Sequence, residues 1–70
     1  MVTLPVLRKG ANSGYVKTLQ ILLNKYDLAR LDEDGIFGDG TYAAVKAYQK
    51  RRGLDVDGIV GAKTWVDLLK

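Results

Sequence analysis

The apolar positions of the chain recur at helical spacing in its first third. Between Tyr15 and Tyr26 they follow the three-and-four rhythm of one helix face and comprise Val16, Leu19, Leu22, Leu23 and Tyr26. Ser13 precedes this run at the N-cap position, where a hydroxyl can accept a hydrogen bond from a first-turn N–H. The pattern therefore predicts a first helix over residues 14–26, capped by Ser13.

Two more helices are predicted downstream. Residues 39–52 carry a second apolar face and end in basic residues, which suit the negative end of the helix dipole, before Gly53 stops the helix. Residues 62–69 form a third, two-turn helix that only packing can hold. No long run of strict alternation appears, although "GLDVDGIV" allows one short pairing. The sequence predicts an all-α, compact three-helix bundle.

The stretch before the first helix is predicted to be extended. It reads "LPVL" at 4–7, and Pro5 both disfavours helix at Leu4 and has no N–H to donate. We expect this segment to lie across the helices as an apolar strap.

Two internal echoes organise the chain. "DGIFGDGTY" at 34–42 returns as "DGIVGAKTW" at 57–65, and "VKTLQ" at 16–20 returns as "VKAYQ" at 45–49. The echoes predict loop-then-helix units related by an internal pseudo-twofold repeat, with an Asp-Gly loop before the second and the third helix.

Each Asp-Gly loop is predicted to be a tight structural turn. Asp34 and Asp57 can accept a hydrogen bond from the backbone two residues on, and Gly35 and Gly58 can take positive φ. The remaining loop positions are given in pairs: inward-pointing Ile36 and Ile59, helix-entry glycines Gly38 and Gly61, and Thr41 and Thr64, whose hydroxyls are expected to reach back to the helix start.

Two glutamines border the apolar faces. Gln20 and Gln49 each lie four residues after a valine, beside the buried stripe and not in full solvent. A glutamine at such a position needs backbone partners, so we expect both amides to hydrogen-bond loop carbonyls and N–H groups.

The composition removes most catalytic chemistry. The 70 residues form one domain at most, taken as 1–70, and contain no cysteine and no histidine. The "DEDG" stretch suggests a calcium loop, but with Gly35 as the sixth residue the first and twelfth positions are Arg30 and Thr41, which lack carboxylates. We expect no metal and no cofactor.

Charge and targeting signals narrow the partners. The net charge is +3, too small for a nucleic-acid-binding tail, and six of the eight acids lie in or beside the two loops. No stretch approaches the about 20 apolar residues of a membrane helix, and the start shows no signal peptide. We therefore expect no membrane and no nucleic-acid partner.

The motifs in combination resemble a known family. "LRKGANSGYVKTLQILLN" followed by "DGIFGDGTYAAVKAYQKRRGLDVDGIVGAKTWVDLL" is similar to the peptidoglycan-binding domain of bacterial and phage cell-wall hydrolases, from Leu7 to Leu69. The resemblance implies a three-helix module without catalysis of its own that holds a covalently attached hydrolase on peptidoglycan. We expect the module to be a monomer and to lie in the cell wall or outside the cell. Ser13 and Gly14 depart from the usual pattern, which affects how the first helix starts.

A peptidoglycan-binding role needs aromatic faces for sugar rings and charged groups for stem-peptide carboxylates. The candidates are Phe37, Tyr42 and Trp65 by the loops, Arg8 as a carboxylate partner and Asp34 in the first loop, with a core position as the alternative for Phe37 and Trp65. Because Val60 stands where the first loop has Phe37, the sequence favours the first loop and Tyr42 as the ligand contact.

Other functions stay open on the sequence alone. A dockerin-like or other small helical interaction module would use the same repeat, and "KAYQKRR" permits a helix-turn-helix nucleic-acid binder with its basic residues unusually placed at the helix end. A glycosidase would need a carboxylate pair drawn from Asp32, Glu33, Asp34 and Asp39, although turn and helix-start roles already account for them.

Overall fold

Three helices, joined by the two Asp-Gly loops, make up the computed structural model, which describes residues 4–70. Their bounds are Gly14–Asp27 for α1, Asp39–Arg52 for α2 and Ala62–Leu68 for α3. The predicted bounds of α2 are matched, while α1 runs one residue longer and α3 ends one residue earlier. Residues 4–70 contain isolated β-bridges and no β-strand, so the all-α prediction is confirmed.

The N-terminal ends of the helices have no side-chain caps. Ser13 occupies the N-cap of α1 in an extended conformation, but its hydroxyl makes no cap hydrogen bond, and its carbonyl instead accepts from the N–H of Val16 at 3.2 Å. The predicted cap position is right and the predicted cap bond is wrong. Gly38 and Gly61 precede α2 and α3 with φ values of −103° and −96°, which any residue can adopt.

Left-handed residues end the first two helices. Gly53 takes φ 73° after α2, as predicted, and its N–H donates to the carbonyls of Gln49 and Lys50. Leu28 does the same after α1 with φ 52°, donating to Leu23, without a glycine to mark the stop in the sequence. The sequence therefore signals the end of α2 by a glycine but carries no such signal at the end of α1.

The core draws on every element of the fold. Its buried apolar residues are Leu7, Val16, Leu19, Leu23, Phe37, Val45, Tyr48, Val60, Trp65 and Leu68. The predicted α1 face holds at Val16, Leu19 and Leu23, whereas Tyr26 is 55% exposed and lies outside the core. Within residues 4–70, no helix is long and apolar enough to cross a membrane.

The predicted strap, residues 4–7, is the first part of the segment before α1, and from here on we use the name strap for the whole segment, residues 4–13. Its backbone pairs with both loops, and the carbonyl of Pro5 accepts a hydrogen bond from the Trp65 side chain of α3. Leu7 and Val60 exchange backbone hydrogen bonds of 3.1 and 2.8 Å, and the N–H of Phe37 donates to the carbonyl of Ala11 at 2.9 Å. One short segment thus holds both Asp-Gly loops against the core.

Polar contacts join the C-terminal ends of the three helices. Arg52 of α2 donates to both carboxylate oxygens of Asp67 on α3, at 2.8 and 3.2 Å, and the Tyr48 hydroxyl donates to the same carboxylate. Arg51 pairs with Asp27 of α1 at 2.5 Å. The hydrogen bonds from Arg52 and Tyr48 lower the pKa of Asp67 to about 2. The pKa of Tyr48 is raised to about 12, mainly by burial and also by the hydrogen bond to Asp67.

Candidate ligand-binding surface

The first Asp-Gly loop is built around one buried amide. Asp34 Oδ1 accepts from the N–H of Ile36 at 3.0 Å, and Gly35 takes φ 76°, so the predicted turn is present. The Gln20 side chain donates to Asp34 Oδ1, the Ile36 carbonyl and Thr41 Oγ1, and it accepts from the Gly35 N–H at 2.9 Å. The N–H of Ile36 is the main cause that lowers the pKa of Asp34, with Gln20 second.

The second Asp-Gly loop repeats these hydrogen bonds. Asp57 Oδ1 accepts from the N–H of Ile59 at 2.9 Å, which lowers the pKa of Asp57, and Gly58 takes φ 73°. Gln49 donates to Asp57, to the Ile59 carbonyl and to Thr64 Oγ1, and it accepts from the Gly58 N–H. The matching bonds belong to the loops, and the pseudo-twofold relation of the helices stays a prediction.

The glutamine prediction is confirmed in both loops, and the threonine prediction is wrong. Gln20 and Gln49 hydrogen-bond loop carbonyls and N–H groups, as expected. Thr41 and Thr64 were expected to reach back to the helix start, but each hydroxyl accepts from a glutamine amide instead. The two threonines thus tie the first turn of α2 to α1 and the first turn of α3 to α2.

The isoleucines of the two loops were predicted to point inward, but the residues that follow them, Phe37 and Val60, are the ones that enter the core. Phe37 and Val60 are 1% and 0% exposed and fill the core, whereas Ile36 is 53% exposed and Ile59 is half-buried. Neighbouring residues of an extended segment face opposite sides, so burying one exposes the other. Phe37, predicted as a ligand contact, has no face open to a ligand.

Trp65 is also a core residue. Its ring is 3% exposed, and its Nε1–H donates to the carbonyl of Pro5 in the strap at 2.8 Å. A buried indole with a satisfied N–H offers neither a stacking face nor a donor to a ligand. The structure corrects the assignment of Trp65 as a ligand contact.

Tyr42, by contrast, lies at the surface on top of the second loop. The ring is half-buried, and a Cβ added at Gly58 would overlap its Cε1 and Cδ1 atoms. The glycine therefore lets one edge of the ring rest directly on the loop backbone. This contact restricts the position of the ring, and it packs a residue of α2 against the second Asp-Gly loop.

Two lysines flank the Tyr42 ring. The ammonium of Lys9 lies 5.5 Å from the ring centroid and that of Lys46 lies 5.2 Å from it, both within cation–π range. Lys9 also pairs with Asp39 at 2.5 Å, a hydrogen bond that raises the pKa of Lys9 and lowers the pKa of Asp39. We call these four residues, Lys9, Asp39, Tyr42 and Lys46, the Tyr42 surface.

The remaining sequence candidates are Arg8 and Asp34. Arg8 is exposed and directly precedes Lys9 in the chain. Asp34 is exposed, but its Oδ1 already holds the first turn together. Lys9 and Lys46 were not singled out from the sequence. The signal that could have found Lys46 is its spacing on α2, one turn after Tyr42 on the same helix face.

Each Asp-Gly loop also borders a shallow groove. The groove at the second loop measures about 260 Å³ and the one at the first about 190 Å³. They share a frame of matching residues: Gln20 and Gln49, Leu31 and Leu54, Asp32 and Asp55, Asp34 and Asp57, Ile36 and Ile59, Thr41 and Thr64. Among residues 4–70, no group of acidic, histidine or cysteine side chains has the arrangement of a metal site.

Comparison with known proteins gives one consistent result. The model of a family described as "putative peptidoglycan binding domain" matches residues 12–68. The spore cortex-lytic enzyme of Bacillus cereus is 42% identical over 65 residues, covering 93% of this chain and 25% of that enzyme. The N-acetylmuramoyl-L-alanine amidase CwlL of Bacillus licheniformis is 41% identical over 61 residues, covering 84% of this chain and 17% of the amidase.

A solved structure agrees in fold. The N-terminal domain of SleB superposes with a TM-score of 0.91 at 38% identity, over 99% of this chain and 94% of that domain. The chain thus spans nearly all of a solved domain but about a quarter or less of the two curated relatives named above.

Proposed function

Since the chain belongs to the peptidoglycan-binding domain family and is a peptidoglycan-binding module, we propose that it holds a cell-wall hydrolase on peptidoglycan and takes no part in the hydrolysis itself. The module works as a monomer in the cell wall or outside the cell. The hydrolase is covalently attached in the full-length protein.

The observation that carries this proposal is the share of each relative that the chain spans. A cortex-lytic enzyme and an amidase have the matching segment in 25% and 17% of their length, which leaves most of each relative for other domains. Chemistry supports a division of labour, because the chain has no histidine and no cysteine. Asp34 and Asp39 have lowered pKa values, the opposite of what a general acid needs.

We place the contact with peptidoglycan at the Tyr42 surface and include Arg8, which is exposed and precedes Lys9 in the chain, as a further candidate. Tyr42 is the one predicted aromatic whose ring remains accessible, and it is held in place by the backbone at Gly58. Asp34 keeps its turn role and adds a carboxylate at the rim of the first groove. Each contact is weak alone, and many copies of the ligand on the wall raise the overall affinity.

A sedimentation assay with purified peptidoglycan sacculi tests the function. We expect the isolated chain to sediment with sacculi and to show no salt-sensitive binding to duplex DNA. Tyr42→Ala should weaken sedimentation. Tyr26→Ala is the matched control, because Tyr26 is also exposed on a helix and also carries a lysine, Lys25, 5.3 Å from its ring centroid.

Two results would contradict the proposal. Binding to DNA without binding to sacculi would support the nucleic-acid alternative. Release of soluble fragments from sacculi by the chain alone would show that the module is itself catalytic.

A further inference from the structure

The Tyr42 surface brings two ammonium groups to one aromatic ring from separate parts of the chain. Lys9 comes from the strap and Lys46 from the middle of α2, and both lie within 5.5 Å of the Tyr42 ring centroid. Placing two like charges together is unfavourable unless an anion sits near them. Here Asp39 supplies that anion to Lys9 alone.

The charges of this surface are not balanced. Of the ion pairs formed within residues 4–70, one involves Lys9 and none involves Lys46 or Arg8. Asp39 is 86% exposed and Lys9 57% exposed, so their pair is in water and is easily exchanged for another partner. Lys9 and Lys46 together exceed the one carboxylate of this surface by one charge.

We propose that the Tyr42 surface binds a carboxylate of the peptide stems of peptidoglycan, with Lys46 as its main partner. This inference rests on the proposed function and names the part of the wall that is recognised. The glycan strands consist of N-acetylated sugars without strong anions, whereas the stems carry free carboxylates. An ammonium beside an aromatic face accepts such a carboxylate while the ring contacts the neighbouring apolar atoms.

Asp39 then acts as an internal competitor. It holds Lys9 by a 2.5 Å contact in the free protein, and a ligand carboxylate must share or displace it. Asp39→Asn frees Lys9 and removes the negative charge from the surface. We therefore expect that the Asp39→Asn substitution, which removes the carboxylate of this surface, strengthens binding.

The test measures the dissociation constant of the isolated chain for sacculi by depletion, at low and moderate salt. One batch of sacculi is native, and in the other the carboxylates have been converted to carboxamides with carbodiimide and ammonium chloride. We expect Lys46→Gln to weaken binding to native sacculi about fivefold and Asp39→Asn to tighten it about threefold, in line with exposed charge pairs. On amidated sacculi, the native chain and Lys46→Gln should bind alike.

Lys25→Gln is the matched control, since it removes the same charge from a lysine that also lies over a tyrosine ring, on α1. If Lys25→Gln weakens binding as much as Lys46→Gln, the attraction is a bulk charge effect and the inference is wrong. It is equally wrong if the native chain binds both batches of sacculi alike, although the proposed function then stands. If the native chain binds neither batch, the proposed function itself fails.

Discussion

Replacing Gln20 by methionine tests the claim that one buried amide organises each loop. Methionine keeps the length and apolar packing of the side chain but removes its donors and its acceptor. In the structure Gln20 is 1% exposed and is the hydrogen-bond partner of the Gly35 N–H, the Ile36 carbonyl and the Thr41 hydroxyl. The substitution therefore leaves a buried backbone donor without its partner.

The expected loss follows from these contacts. Leaving the Gly35 N–H unpaired costs about 1–3 kcal/mol, and losing each remaining hydrogen bond costs about 0.5–1.5 kcal/mol. Greater burial of apolar atoms by methionine offsets about 1 kcal/mol of this. With two such bonds, to Ile36 and Thr41, we expect the free energy of unfolding to fall by about 1–5 kcal/mol, a large part of the about 4–10 kcal/mol typical of a domain this size.

Urea unfolding followed by tryptophan fluorescence measures this loss, because Trp65 is the sole tryptophan and is buried. Gln49→Met should lose a similar amount, since the second loop repeats the same hydrogen bonds. Thr18→Val is the control, because its hydroxyl makes an exposed bond within α1. A loss below about 1 kcal/mol for Gln20→Met would refute the reasoning, because an unpaired buried N–H alone should cost that much.

Three further predictions use other parts of the structure. Gly58→Ala combines a strained positive φ with a clash against Tyr42, so we expect a loss of at least about 2 kcal/mol in urea unfolding, partly recovered in the double variant with Tyr42→Ala. The pKa of Asp67 is lowered to about 2, so its stabilising contribution is complete above the unfolded value of 3.8 and is lost as pH falls from about 4 to 2. Thermal unfolding should show that Asp67→Asn removes this part of the acid dependence, and an unchanged profile would contradict the ion-pair account. Trp65→Phe removes the bond to Pro5 and leaves part of the indole site empty, so we expect a drop in melting temperature of about 8 °C or more, and a drop under about 2 °C would count against it.

The helices and turns could be predicted because their causes are local. The spacing of Val16, Leu19 and Leu23 fixes the buried face of α1, and Gly53 alone signals the end of α2. An Asp-Gly pair makes its turn with atoms two residues apart, so Asp34 and Asp57 could be assigned correctly. In each case the partners lie within one or two turns of chain.

Apart from the missing cap bond of Ser13, the main errors concern residues whose partners lie far along the chain. Ile36 and Phe37 are both apolar, and local pattern does not say which of them faces inward. Phe37 is buried where its backbone N–H pairs with the carbonyl of Ala11, a residue 26 positions earlier in the chain. Trp65 is buried against Pro5, 60 residues away, which helical spacing does not reveal.

The candidate site shows the same division. Tyr42 could be expected to project from the start of α2, and the structure leaves it half-exposed. The two lysines beside the ring were not predicted. Lys9 could not be found by helical spacing, because it approaches the ring from the strap and not from α2. Lys46 could have been predicted, because it lies four residues after Tyr42 on the same face of α2.

The strap has a further consequence for the order in which the chain can fold. Its partners include Val60 and Trp65, so its contacts span most of the chain, although helices themselves form from local contacts. Synthesis proceeds at about 5–20 residues per second, and the strap is made before the three helices but finds its last partners only when α3 has been made. We expect a folding rate slower than that of a simple helical bundle, and a domain that stays open on the ribosome until its C-terminal helix is free.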